Sequence, residues 1–227
     1  MRTFNILATS LIFFASLHVY GQFTGPSPSS SSRASGSLNG LYAGITAGYN
    51  KANLGLNNTI NGFPSGPIDK INAVNIAAHL GYEMSLPIFY LAAEASLGYK
   101  FGSASKQYDS NVKIVSRTGL GGDLSLKVGG TLGKSGAAYL IAVLAGDTFT
   151  FSPDANSTQW QQVLKRPTFA FGFGPGIGAR YKITSKFSAS LEYKYLFFHH
   201  TVVKDIQGDV SIKPRTHVIN LLVSYHF

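Results

Sequence analysis

The sequence predicts an all-β fold, an eight-stranded antiparallel transmembrane β-barrel arranged as an up-and-down meander with periplasmic termini. Three observations support this prediction. Apolar residues alternate with small or polar residues at a period of two over most of the chain beyond residue 40. Only 13% of the residues are charged, about half the share of roughly 25% in soluble domains. Short connections between the predicted strands alternate with long ones, as in outer-membrane barrels.

Residues 1–21 have the pattern of a cleaved secretory signal peptide. Arg2 supplies a short basic region, residues 6–17 are largely apolar, and Gly21 offers a small residue at the cleavage point. The apolar stretch is too short to anchor a helix across a bilayer. The chain is therefore expected to be exported to the cell outer membrane.

Two further regions follow the signal peptide. Residues 22–39 are rich in Ser, Pro and Gly and are expected to form a flexible leader without a core. Residues 40–227 hold the alternating segments and are expected to form the barrel. With no cysteine, the chain has no disulfide framework, no thiolate metal site and no cysteine nucleophile.

The clearest strand pattern covers residues 169–182, where Phe171 and Ile177 share one face and Gly172 and Gly178 share the other. Comparable patterns predict eight strands, over residues 40–50, 72–83, 89–101, 114–128, 137–151, 169–182, 187–199 and 217–227. The segment 137–151 is apolar on both faces, so its orientation stays open. Short connections, expected in the periplasm, cover residues 84–87, 129–136 and 183–186. Long extracellular connections cover residues 51–71, 102–113, 152–165 and 200–215.

The patterning is inverted relative to a soluble barrel. One face of each strand carries Leu, Ile, Phe and Tyr almost without charge, whereas the other carries Gly, Ala, Ser and isolated charges that suit a narrow lumen. Aromatic residues at the strand ends match interfacial girdles: Tyr49, Tyr82, Phe89, Tyr99, Phe101, Tyr181, Phe187 and Phe227. These features indicate that the large apolar face meets lipid.

Three segments resemble the small outer-membrane β-barrel family of Gram-negative bacteria, the porin-like and outer membrane protein A-like domains. They are residues 40–44 (GLYAG), residues 174–181 (GPGIGARY) and residues 191–195 (LEYKY). The alternating C-terminal segment, which ends in Phe227, adds to the resemblance. In this family the insertion machinery reads the C-terminal aromatic strand, so the resemblance implies an assembly signal at Tyr225 and Phe227. The family includes structural anchors, adhesins, haem-binding surface proteins and small pores.

Charged residues on the inward face are expected to form a lumen charge network of Glu94, Lys100, Arg117, Asp123, Lys127, Arg180, Glu192 and Lys194. An odd three-residue turn would place Arg180 opposite Ser190 and diagonal to Glu192. Inward glycines of the segment 169–182 leave room for large groups from across the barrel. An eight-stranded barrel is just wide enough for its side chains to fill. A packed core of compensated charges is therefore expected, with a gate at Arg180 and Glu192 as the alternative.

The net charge of +9 is located largely in the predicted loops. Either a solvated rim or attraction to lipopolysaccharide phosphates or an acidic partner would explain it. Nucleic acid is not expected, because no basic helix or stacking platform accompanies the charge. His199, His200 and His217 would lie near the extracellular rim, where imidazoles could bind haem or a metal, but their spacing matches no defined site.

These observations predict an outer-membrane barrel with a structural or surface-interaction role through its extracellular loops. The alternative is a narrow or gated pore for ions and small solutes. The expected partners are outer-membrane lipids and lipopolysaccharide, the insertion machinery and an extracellular ligand of the loops. No cofactor or metal is expected. Catalysis is not expected either, because the residues after His200 lack the serine of the His-x-Ser-Asn run found in lipid A deacylases and phospholipases of this type.

Overall fold

The structure, a computed structural model, describes residues 39–58, 66–67, 70–109, 112–133, 135–155, 167–199, 201–205 and 208–227. The predicted signal peptide, residues 1–21, and all of the predicted leader except Asn39 lie outside this set. Within these ranges no helix is long and apolar enough to cross a membrane.

Ten strands form one antiparallel sheet in the described part of the chain. They are β1 (Gly40–Asn58), β2 (Gly66–Pro67), β3 (Ile71–Ser85), β4 (Phe89–Asp109), β5 (Val112–Leu132), β6 (Gly136–Ala155), β7 (Pro167–Lys182), β8 (Phe187–Phe198), β9 (Thr201–Asp205) and β10 (Gly208–His226). The eight long strands β1, β3 to β8 and β10 follow one another around the sheet, and β1 pairs with β10 to close it. The predicted eight-stranded meander is confirmed, with β2 and β9 as short additions beside β1 and β10.

Most strands are longer than the alternation predicted. β4 and β5 each have 21 residues and β6 has 20, whereas β8 has only 12. A tilted strand crosses the hydrocarbon core in roughly 9–11 residues. Much of the predicted long connections is therefore strand, because antiparallel pairing continues beyond the membrane and satisfies the backbone there.

The outer surface of the barrel is an apolar band. Large hydrophobic side chains point outward and are strongly exposed, among them Ile45, Leu140 and Phe171 at 67–70%. Every strand-end aromatic named in the sequence analysis also faces outward and is exposed. This arrangement is that of a transmembrane barrel, whose apolar band meets lipid between two aromatic girdles.

The structure resolves the orientation of β6, which the sequence left open. Tyr139, Ile141 and Val143 are buried in the lumen, whereas Leu140 and Leu144 face outward. Register decides this, because Ile141 pairs with Lys127 of β5 and with Gly176 of β7, and both of those face inward.

The predicted inward position of Arg117 is wrong. The β5 register shifts against β4 between Tyr99 and Ser103, and against β6 between Thr118 and Gly121. The shift reverses the alternation along β5, so Ser116 is buried and Arg117 is exposed on the outer face. A strict period of two carried through this irregularity places Arg117 on the wrong side.

The turn between β7 and β8 has the odd length that was predicted. The Ile183 amide donates to the Phe187 carbonyl at 2.9 Å, and the Thr184 hydroxyl oxygen accepts the Phe187 amide at 3.0 Å. Arg180 then pairs with Ser190 in the β7–β8 ladder. Both apolar faces consequently stay on the lipid side.

Candidate functional site: the barrel lumen

The centre of the lumen holds a buried cation between two carboxylates. Lys127 Nζ lies 2.7 Å from Glu94 Oε2 and 2.6 Å from Glu192 Oε1, and all three side chains are essentially inaccessible to solvent. Glu94 is on β4 beside Lys127, whereas Glu192 reaches across from β8. Lys127 thus joins opposite walls of the barrel.

Arg180 forms the second buried ion pair, with Glu83 of β3 on the other side of the lumen. Its Nε donates to Ser190 Oγ at 2.9 Å, and its guanidinium lies 4.4 Å from the centre of the Tyr42 ring. The predicted contact between Arg180 and Glu192 is not formed. The lumen is narrow enough for ion pairs to form across it, so the closest partner need not be on the neighbouring strand.

Three tyrosines donate hydrogen bonds to these carboxylates. Tyr42 donates to Glu94, Tyr90 to Glu83 and Tyr139 to Glu192, each at 2.9 Å. All three tyrosines are buried. Alternation alone places Tyr42 and Tyr90 on the inward rows of β1 and β4, but the sequence analysis selected only charged residues. Tyr139 lies on β6, whose orientation the sequence left open.

Two further ion pairs lie nearer the extracellular end of the lumen. Lys194 Nζ lies 3.2 Å from Asp123 Oδ2, and Lys100 Nζ lies 2.5 Å from Asp147 Oδ2. Asp147 was not among the predicted residues, because it lies on β6, whose orientation the sequence left open. Seven of the eight predicted charges therefore line the lumen, and Arg117 does not.

Neutral polar side chains cover the wall formed by β1, β3 and β10. Asn50 Nδ2 donates to Asn75 Oδ1 at 2.9 Å, and Asn75 Nδ2 donates to Asn220 Oδ1 at 3.3 Å. Below them, the His79 ring bridges Thr46 Oγ1 and Ser224 Oγ at 2.9 Å each. Beyond Glu83 on β3, this wall thus presents neutral groups, most of them hydrogen-bonded to one another, to the cross-lumen charges.

An apolar layer occupies the lumen on the extracellular side of the charges. Phe149 and Phe198 meet edge to face with ring centres 5.8 Å apart, and Ile71, Leu196 and Val218 are buried in the same cluster. The sequence analysis expected small residues and isolated charges on the inward face and missed this layer, because inward apolar residues are indistinguishable from lipid-facing ones by composition.

The space left among these side chains is small. A cavity of about 40 Å³ is lined by side chains that include Asn50, Lys100, Asp123 and Lys194. Such a volume suits one or two water molecules with several polar partners. Beside this cavity, the lumen holds the buried ion pairs, the three tyrosines and the apolar layer.

The histidines considered as ligands do not meet. His217 faces outward and bonds through Nδ1 to the Tyr193 hydroxyl at 2.8 Å. His199 is exposed at the end of β8, four residues beyond Tyr195, which is the β8 residue that pairs with His217. Four residues correspond to roughly 13 Å along the strand. The side chain of His200 lies outside the described part. Among the described residues, no group of three His, Cys, Asp or Glu side chains is arranged to hold a metal.

The C-terminal aromatics extend the lower girdle. Tyr225 packs edge to face on Phe187 and on Phe227, with ring centres 5.3 Å and 5.2 Å apart. The Phe227 amide donates to the Leu41 carbonyl at 3.1 Å, and its ring is 75% exposed. The last residues thus join the first strand while keeping one ring available on the outer face.

Comparison with known proteins gives a family match along most of the chain. The profile described as the outer membrane protein beta-barrel domain matches residues 27–227. A search of curated protein sequences finds no match.

Several solved structures are similar in fold. OprG of Pseudomonas aeruginosa has 14% identity and a TM-score of 0.49, over 85% of this chain and 98% of that chain. Ail of Yersinia pestis, in complex with the heparin analogue sucrose octasulfate, has 12% identity and a TM-score of 0.45, over 83% and 99%. The outer membrane protease OmpT of Escherichia coli has 8% identity and a TM-score of 0.38, over 83% and 97%.

Proposed function

Because this chain belongs to the outer membrane protein β-barrel domain family and is therefore an outer-membrane barrel, we propose that it serves as a closed scaffold with a structural or surface-interaction role. In this role the lumen holds the barrel rigid and conducts nothing, and the extracellular hairpins present the interacting surface. The single observation that carries the proposal is the set of buried ion pairs that cross the lumen.

The ion pairs support a closed lumen because of what opening would require. Conduction would need Lys127 to separate from Glu94 or Glu192, and Arg180 from Glu83. Breaking a buried pair while leaving one charge uncompensated costs about 3–5 kcal/mol. The apolar layer at Phe149 adds a second barrier, since a narrow hydrophobic constriction excludes water.

The surface role is supported by strand length. β4, β5 and β6 continue well past the length that a membrane requires, and the ends of β1 and β10 are paired with β2 and β9. Paired hairpins hold their tips more rigidly than unpaired loops. A rigid projecting wall is suited to contact with a partner outside the cell.

The proposed role involves no catalysis. Each of Glu83, Glu94 and Glu192 lies against a buried cation and accepts from a tyrosine, and Glu192 Oε2 also lies 3.4 Å from Lys194 Nζ. Carboxylates that neutralise buried cations in this way are poor candidates for a general base or a nucleophile.

Planar-bilayer recording of the refolded barrel tests the closed lumen. We expect wild-type protein, with folding confirmed by its heat-dependent gel shift, to give no discrete conductance steps. The positive control is a triple variant with Phe149→Ala, Lys127→Ala and Arg180→Ala, recorded only if it still shows the folded band. This variant should conduct, which would prove that the recording detects an open lumen.

The gated pore makes the opposite prediction for the wild type. Lys127 already contacts two carboxylates, so an exchange of partners is the movement that such a gate would use. Discrete wild-type steps that change with Glu192→Gln would overturn the closed scaffold in favour of the pore.

A further inference from the structure

One lysine of the lumen lies against two carboxylates without a short contact to either. Lys194 Nζ is 3.3 Å from Asp123 Oδ1, 3.2 Å from Asp123 Oδ2 and 3.4 Å from Glu192 Oε2. Lys100 and Lys127, by contrast, lie 2.5–2.7 Å from their carboxylate partners. Charge-assisted N–H···O bonds are usually about 2.7–2.9 Å long. Of these three lysines, Lys194 is therefore the one least tightly held as an ammonium ion.

The amine of Lys194 faces the carboxyl group of Asp123. Because Nζ is almost equally far from both oxygens, it approaches the carboxyl group as a whole and not one oxygen alone. Lys194 lies on β8 and Asp123 on β5, on opposite sides of the lumen, and the closed sheet fixes both strands. Two groups fixed against each other react as if at an effective concentration of up to about 10⁵–10⁸ M.

Glu192 offers a separate proton acceptor beside the amine. Its Oε1 is bound by Lys127 and Tyr139, whereas its Oε2 is buried and forms no hydrogen bond among the described residues. A carboxylate that neutralises a cation is a poor base toward other groups, but here the proton that moves belongs to the cation itself. Lys100 forms no ion pair with a second carboxylate in the described part of the chain.

We propose that Lys194 and Asp123 become joined by an isopeptide bond in the folded barrel. One ammonium proton of Lys194 passes to Asp123, which leaves a neutral amine beside a neutral carboxylic acid. The amine nitrogen then attacks the carboxyl carbon of Asp123. Glu192 Oε2 takes the second amine proton and gives it to the leaving hydroxyl group. A C–N bond thus replaces the C–O bond, one water molecule is released, and the third proton stays on the amide.

The surroundings of the pair favour the amide product. A buried ion pair carries a large desolvation cost, which a neutral amide does not. The cavity of about 40 Å³, which Lys194 and Asp123 both line, has room for the released water molecule. The bond links β5 to β8 across the lumen in a chain that has no cysteine for a disulfide. The inference rests on the geometry of the lumen and not on whether the lumen conducts.

Intact-mass spectrometry of the full-length chain tests the bond directly. The same preparation is measured while unfolded, from inclusion bodies, and again after refolding into detergent, with folding confirmed by the heat-dependent gel shift. We expect the refolded wild type to be lighter by the mass of one water molecule. Proteolytic digestion and fragmentation should then show one cross-linked pair of peptides, joined between Lys194 and Asp123.

Three variants test the assigned roles. Lys194→Arg keeps the positive charge but removes the amine, so it should keep the full mass, as should Asp123→Ala if the arginine variant does not fold. Lys100→Arg, the matched control in the other Lys–Asp pair, should lose water as the wild type does. Glu192→Gln should slow the loss roughly 100-fold, because the proton acceptor is removed.

Several results would overturn the proposal. They are a refolded wild type that keeps its full mass after prolonged incubation, a water loss that persists in Lys194→Arg or Asp123→Ala, a cross-link between other residues, and an unchanged rate in Glu192→Gln. Silence or conductance in the bilayer recording leaves the measured mass unaffected, so the two proposals fail separately.

Discussion

At the scale of residues, the lumen is organised by pairs that are remote in sequence. Arg180 and Glu83 are 97 positions apart, and Tyr139 and Glu192 are 53 apart. Each charge is neutralised inside a space that excludes bulk water, where an unpaired charge is costly. Loss of one partner of a buried pair is therefore expected to destabilise the barrel more than loss of one partner of a surface ion pair would.

Replacing Arg180 tests this dependence. Arg180→Met leaves Glu83 without its cation, and we expect the free energy of unfolding to fall by about 3–5 kcal/mol. The urea midpoint of the heat-modifiable folded band measures it. Arg117→Met, which removes an exposed outer-face cation, should change the stability by no more than about 0.5 kcal/mol. Equal midpoints for the two variants would show that the buried pair contributes nothing.

At the scale of elements, β7 is shaped by its inward glycines. A Cβ added at Gly178 would lie 2.9 Å from Tyr139 Cζ and 3.1 Å from Glu192 Cγ, and one at Gly172 would lie 2.7 Å from Phe198. The missing side chains provide the room that Tyr139, Glu192 and Phe198 occupy. The sequence predicted that these glycines make room, but it expected groups from across the barrel, whereas Tyr139, Glu192 and Phe198 come from the neighbouring strands β6 and β8.

Gly178→Val should crowd the Tyr139 and Glu192 side chains. Overpacking of this kind costs about 1–3 kcal/mol, which we expect as a lower urea midpoint of the folded band. Ala142→Val adds a similar volume to the exposed, lipid-facing side of the adjacent strand β6, and its midpoint should stay near that of the wild type. A Gly178→Val barrel as stable as the control would mean that the lumen is more loosely packed than its distances indicate.

At the scale of the whole molecule, closure depends on the last strand. β10 pairs with β1 from His226 opposite Tyr42 to Val210 opposite Asn58. The backbone amide of Phe227 also donates a hydrogen bond to the Leu41 carbonyl. Closure leaves no free sheet edge in the bilayer, which a membrane-spanning sheet requires. The Phe227 ring, which follows this strand, is exposed on the outer face, and we predict that the insertion machinery recognises it.

Phe227→Ala should slow insertion by the outer-membrane machinery, if the C-terminal aromatic is the assembly signal. The rate at which the heat-modifiable folded band appears in proteoliposomes that contain the machinery measures this step. Phe187→Ala removes another exposed girdle ring, one that packs on Tyr225, and should leave the rate near that of the wild type. Equal slowing by both variants would indicate a general loss of girdle hydrophobicity and not of a C-terminal signal.

The sequence by itself determined the strand count, the meander, the lipid-facing rows and most of the lumen charges. These features follow from local alternation, because a period of two assigns each residue to a face wherever the ladder is regular. Arg117 marks the limit of this reasoning, since a register shift in β5 is invisible to alternation. The orientation of β6 was likewise undecided, because both of its faces are apolar.

Only the tertiary structure decided which inward groups meet. The pairing of Arg180 with Glu83, the tyrosine donors and the apolar layer at Phe149 depend on closure of the sheet, which brings side chains from opposite walls within contact. Closure converts positions far apart in the chain into neighbours, and no local pattern encodes that distance.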